Sequence, residues 1–308
     1  MEENTVNEKQ NEAVTTGNEA PKKKVRISRV FLSLFPFGVC LMVQTLAQIP
    51  FYILAVVDTI KEGYSVDDID AFLTAFLNIF NDRYLLSMYI VYAVLGITVF
   101  GIWYYKGFVK KRPKVKIGDV FGVKSLIALL LSAVSLLFVV NAWGVIVGWV
   151  MPRVIEEYNE MIEMSGLVNN SYLLVIYSIF SAPILEELCF RGVIFSILED
   201  SGIRPWFIIL ISGALFAVMH ITIPFQMVYA LFIGLFLGYL RYKYRSIMIT
   251  ILTHILFNVF GTFVSDAINE SGMGEGAMVI FGGVALCVIA FVFVLVNGDK
   301  KAYKPDTK

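Results

Sequence analysis

Eight apolar runs govern what this chain can become, at about 30–57, 84–105, 125–150, 171–198, 205–223, 226–240, 246–264 and 276–296. A helix needs about 20 apolar residues to cross the hydrocarbon of a bilayer, so each run reads as one span. Composition agrees. With 58% hydrophobic and 16% charged residues and a mean hydropathy of +0.74, there is too little polar surface to cover a water-soluble globule. The expected fold class is all-α: a polytopic membrane helical bundle of about eight transmembrane helices forming one domain, 26–298. Residues 1–25 are polar, cannot repay the entropy of ordering and read as a disordered cytoplasmic tail; 299–308 read as a second cytoplasmic tail. The first run has the basic lead of a signal peptide but is too long and shows no small-x-small cleavage site, so it counts as a span.

Charge is sorted by loop. Lys106, Lys110, Lys111, Arg112, Lys114 and Lys116 share one segment without an acid, Arg241, Lys243 and Arg245 follow the sixth run, and Lys300, Lys301, Lys304 and Lys308 close the chain. The alternate loops are acidic: Asp58, Glu62, Asp67, Asp68, Asp70 and Asp82; then Glu156, Glu157, Glu160 and Glu163; then Asp266, Glu270 and Glu275. The positive-inside rule places both termini in the cytoplasm, in keeping with an even number of spans. Arg241 reads as a side chain snorkelling from a helix end. The stretch 71–80 is apolar but too short to cross and reads as an interfacial helix on the outer face. Lys plus Arg equals Asp plus Glu at 25 each, so no basic excess points to nucleic acid. Cys40, Cys189 and Cys287 all fall in apolar stretches without C-x-x-C spacing and read as packing residues.

Within the spans, ionisable groups concentrate on three runs: Glu186, Glu187 and Arg191 on the fourth, His220 on the fifth, His254 on the seventh. A charged group at bilayer depth costs about 2.5–3.5 kcal/mol on insertion scales, so five together demand a shared reason. Counting about 1.5 Å of rise per residue from the cytoplasmic ends puts Glu186 about 18 Å deep, His220 about 22 Å and His254 about 12 Å, within one or two turns of each other. The chain's two histidines thus lie at matching depth with two carboxylates. Glu187 and Arg191 stand at i and i+4 with the acid first, the order that favours an intrahelical pair, so mutual neutralisation competes with a functional role for them. Glu186 lies about 100° round the helix from Glu187 and is freer to face a different space. Phe216 with His220, and His254 with Asn258, are i,i+4 pairs on single faces. Pro183 removes a backbone hydrogen bond just before the acidic pair and opens room for water. Asn141 either lines the same cavity or bonds a neighbouring helix, and the glycines of Gly234-x-x-x-Gly238 suit close packing inside a bundle.

Two chemistries fit this inventory. A buried carboxylate can serve as general base on a water with help from a histidine, while a second histidine and a carboxamide donate to the oxyanion of a tetrahedral intermediate. Alternatively, Glu186, His220 and His254 form the two-histidine, one-carboxylate ligand set of a catalytic zinc. The residues alone leave this choice open, and the H-E-x-x-H signature is absent.

The ordered set Glu186-Glu187-x-x-x-Arg191, Phe216-x-x-x-His220 and His254-x-x-x-Asn258, on separate hydrophobic helices over about 171–264, resembles the CPBP family of CAAX prenyl proteases of the second type and Abi or bacteriocin-processing proteins. The resemblance implies an intramembrane endopeptidase with Glu186 activating water, His220 assisting it, and His254 with Asn258 stabilising the oxyanion. Glu187 and Arg191 would shape the site. Members of the family have been described both as metalloproteases and as metal-independent glutamate proteases. By analogy the substrate is a peptide or membrane-anchored protein in a bacterial plasma membrane, and membrane lipid is the surrounding partner. Two other classes compete: a proton- or metal-coupled transporter, which would need polar residues continuing to both faces, and a non-catalytic bacteriocin-immunity or scaffold protein.

Overall fold

In the computed structural model, residues 25–112, 117–164 and 172–299 are described. The expected tails at 1–24 and 300–308, the loop lysines Lys114 and Lys116, and the start of the fourth run at Ser171 lie outside them. The chain runs through α1 (Ile27–Lys61), α2 (Ile69–Lys111) and α3 (Val123–Val150), then α4 (Pro152–Met164) and α5 (Tyr172–Ser201). It continues with α6 (Pro205–Val218), α7 (Pro224–Tyr244), α8 (Ile247–Glu270) and α9 (Glu275–Asn297). No strand occurs among the described residues. The protein is a polytopic helical bundle.

Seven of these helices, all but α4 and α6, are long and apolar enough to cross a membrane. Of the about eight spans expected, the one that forms α6 is the short one. Its 14 residues reach only about 21 Å against a hydrocarbon core of about 30 Å. The chain leaves the helix at Met219 and turns through His220 to Pro224, where a proline suited to a first helical turn starts α7. His220 therefore stands on a turn and not inside a span. α6 and α7 form an antiparallel pair whose backbones nearly touch: a Cβ on Gly234 would lie 3.0 Å from Gly213 Cα, and one on Gly238 3.3 Å from Ile209 Cγ2. The small residues of α7 thus serve packing within the bundle.

Two further elements depart from expectation. The stretch read as a separate interfacial helix forms Ile69–Ile79, capped by the Asp68 carboxylate on the Ala71 N–H at 3.2 Å. It then runs without a break through a π turn, Phe80–Tyr84, into Leu85–Gly107. Tyr84 donates to Asp58 at 2.5 Å and Arg83 pairs with Glu62 at 2.6 Å, tying this bend to the end of α1. The acidic loop after the third span is instead the helix α4. Val154, Ile155, Tyr158 and Ile162 recur at helical spacing, so a sequence too polar to span still has one apolar stripe. Tyr158 sets its ring 4.8 Å from that of Phe225 on α7.

The core has two large halves, beside a smaller cluster of Ala55, Phe80, Leu85, Met88 and Leu174. α5 fills one half, with Leu185, Cys189, Phe190, Val193 and Phe195 packed against Cys40 of α1, Phe100 of α2 and Ile208 of α6. In the other half α3, α7, α8 and α9 pack through Leu129, Leu136, Phe236, Leu237, Ile249 and Val292, and Gly282 admits Ala142 of α3 against α9. α5, the α6–α7 turn and α8 meet between these halves.

Candidate active site

α5 carries the acids on an irregular backbone. Its first π turn, Tyr177–Ser181, is closed by the Ala182 N–H donating to Tyr177 O. That donor would serve Ser178 O in an ordinary α-helix, and the next candidate, residue 183, is a proline with no N–H. The orphaned Ser178 carbonyl is taken up from another span: Asn258 Nδ2 donates to it at 2.8 Å. A second π turn, Leu188–Ile194, follows the acidic pair and is almost wholly buried. π turns inside α-helices recur at functional sites because they re-aim side chains and free carbonyls.

The adjacent acids part company. The Glu187 side chain is fully buried and Glu186 is 22% exposed. Glu187 Oε1 accepts from Arg191 Nη1 at 2.7 Å and from His254 Nδ1 at 3.1 Å. The pairing of Glu187 with Arg191 is therefore real, but it also reaches across to α8. Arg191 is itself fully buried, gives Nη2 to Gly234 O at 2.9 Å, and lies 4.6 Å over the Phe216 ring. Phe216 wedges between the two imidazoles, with ring centroids 4.9 Å from His220 and 5.9 Å from His254.

Glu186, Phe216, His220, His254 and Asn258 line one cavity of about 190 Å³. Of the seven residues singled out from sequence, Glu187 and Arg191 alone lie behind its wall. Ser178 and Ala182 precede Glu186 at successive i,i+4 steps, and Gln226, Ala230 and Ile233 of α7 face it, as do Tyr89, Tyr177 and Tyr229. The first two were legible as an extension of the Glu186 face. The tyrosines had no signal, since an aromatic in a span is ordinarily packing. Asn141 is not among the lining residues and donates to Leu137 O of its own helix at 2.9 Å.

The hydrogen bonds assign the imidazoles. His220 Nδ1 meets Phe216 O at 2.9 Å, so that nitrogen carries the proton and Nε2 keeps a lone pair in the neutral ring. His254 Nδ1 donates to Glu187, and its Nε2 stands 3.7 Å from Glu186 Oε2. Glu187 thus holds His254 in one orientation, with Nε2 on the side of Glu186 and the cavity. Among the described residues, no three side chains of His, Cys, Asp or Glu stand close enough together to hold a metal ion. Glu186, His220 and His254 share the cavity without forming a ligand shell.

Residues 168–260 match the family model described as Type II CAAX prenyl endopeptidase Rce1-like. No curated protein and no solved structure matches the chain significantly. The matched stretch contains α5, the α6–α7 pair and the part of α8 that bears His254 and Asn258. Over residues 168–260 this multi-pass membrane protein is therefore similar to the type II CAAX prenyl endopeptidases (Rce1-like).

Proposed function

We propose that this protein is an intramembrane endopeptidase in which Glu186 is the general base that activates a water. The observation that carries the reading is the convergence of Glu186, His220, His254 and Asn258, from three separate parts of the sequence, on one cavity. Glu186 has the exposure a base needs to meet water, and His220 Nε2 is the lone pair free to share that water's proton. As the water oxygen adds to the scissile carbonyl, the developing oxyanion takes hydrogen bonds from the His254 imidazolium Nε2–H and from the Asn258 amide hydrogen not given to Ser178. The proton then passes from Glu186 to the leaving amine. Glu187 and Arg191 hold His254 in place without touching the substrate.

The substrate is a peptide or a membrane-anchored protein segment. A bacterial plasma membrane and cytoplasmic termini belong to the same reading. Arg112 and Arg241, both assigned to one side by charge, and Arg29 from the basic lead of the first run meet at Glu199 and Asp200 at one end of the bundle, which supports that alternation of loops. The decisive experiment is cleavage of a reporter peptide by Glu186→Ala and His220→Ala variants that insert and extract normally. Both are expected to be inactive, and retained cleavage in both would overturn the assignment. Flux through proteoliposomes that depends on Glu186 would favour transport, and bacteriocin immunity that survives Glu186→Gln and His254→Ala would favour a non-catalytic role.

A further inference from the structure

The sequence alone makes Arg241 a snorkelling side chain, and the structure corrects this. Arg241 is 2% exposed and points into the bundle. Its Nε donates to Arg191 O at 3.1 Å, its Nη2 meets Glu199 Oε2 at 3.4 Å, and its guanidinium lies 5.2 Å over the Phe195 ring. Glu199 is held in turn by Arg112 Nη1 at 2.5 Å, and Arg112 Nη2 also bonds Ser196 O at 3.1 Å.

The bond to Arg191 O has a specific cause. In an α-helix that carbonyl would accept from the Phe195 N–H, but in the second π turn the Phe195 N–H donates to Phe190 O. The carbonyl displaced from the ladder is buried, and a charged donor from α7 serves it, making a stronger bond than a neutral amide would. Gly234 and Arg241 are seven residues apart on α7, two turns along one face. That face holds Arg191 at two points: Gly234 O accepts from its side chain and Arg241 Nε donates to its backbone.

We propose that Arg241 is a positioning residue for the site, clamping the π turn so that Arg191 presents Glu187 to His254 in a single geometry. The proposal rests on the oxyanion role of His254 in the protease reading. Glu199 and Arg112 fix the clamp from behind. Through this chain of contacts, a residue outside the cavity sets the orientation of the imidazole inside it.

The test uses full-length protein in detergent, with kcat and KM measured on a cleaved reporter peptide and NMR spectra recorded on protein carrying 15N-histidine. The chain has two histidines, so the His254 Nδ1–H resonance is assigned by a single His220→Gln control. Arg241→Gln is expected to lower kcat by about tenfold or more with KM within about twofold, since small misplacement of catalytic groups acts on the chemical step. It is also expected to shift the His254 Nδ1–H resonance, and Arg241→Lys, which keeps a charged donor, should recover both readouts in part. Unchanged kcat, or a loss of kcat with the His254 resonance in place, overturns the proposal. If Arg241→Gln does not insert, Glu199→Gln, which loosens Arg241 from behind, is judged by the same two readouts. Wild-type protein that cleaves no peptide would overturn the protease reading instead, while the resonance would still test the clamp.

Discussion

Adjacent residues of one motif should fail in opposite ways when Glu186 and Glu187 are each replaced by alanine. Glu187 is fully buried and answers two donors, at 2.7 Å from Arg191 and 3.1 Å from His254. Removing it strands the fully buried Arg191 guanidinium with Gly234 O as its remaining hydrogen-bond acceptor. Breaking a buried ion pair from one side costs about 3–5 kcal/mol. At about 1.4 kcal/mol per factor of ten, the folding equilibrium should fall by two to nearly four powers of ten. Glu186 faces the cavity and accepts no comparably short bond, since its contact with His254 is at 3.7 Å. Its loss should cost under about 1 kcal/mol of stability while lowering kcat by about 10²–10⁴ as the general base disappears. Unfolding of purified protein in graded SDS, followed by tryptophan fluorescence, measures the first quantity; hydrolysis of a quenched fluorescent peptide measures the second. A double variant, Glu187→Ala with Arg191→Leu, should be more stable than Glu187→Ala alone, because the stranded cation is the main penalty. The reasoning fails if Glu187→Ala unfolds within about 0.5 kcal/mol of wild type, or if Glu186→Ala is as destabilised as its neighbour.

Three other outcomes are expected on the same structural grounds. Gly234→Ala would set a Cβ 3.0 Å from Gly213 Cα and O, forcing α6 from α7 at a cost of about 1–3 kcal/mol, whereas Gly261→Ala, with nothing within 4 Å, should unfold within about 0.5 kcal/mol of wild type in the same SDS assay. Asn258→Ala leaves the Ser178 carbonyl without its donor at 2.8 Å and should cost about 1–3 kcal/mol of stability, together with about 10²-fold in kcat from the lost oxyanion donor. Cleavage should persist after chelator treatment, with no stoichiometric metal by elemental analysis; activity lost to chelator and restored by zinc would refute the metal-free mechanism.

Membrane class and helical architecture were legible because long apolar runs have one low-energy fate in a bilayer, and the convergence of Glu186, His220, His254 and Asn258 was legible because polar groups at depth need each other. Hydropathy misjudged α6, since it counts the apolar residues of a turn, Met219 to Ile223, with those of the helix before them. It also passed over α4, whose apolar stripe is diluted by glutamates when averaged along the chain.

By itself the sequence determined the solvent in which this protein folds, the order of its spans and the short list of residues able to run chemistry. The distinct fates of Glu186 and Glu187, the hand-over of Ser178 O to Asn258 and of Arg191 O to Arg241, and the passage of Arg241 from a helix end into the interior were decided only in three dimensions. The physical reason is common to all of them. Where π turns displace carbonyls from the helical ladder, the replacement donors come from residues 80 or 50 positions away, and burial alone determines which of two neighbouring carboxylates meets water.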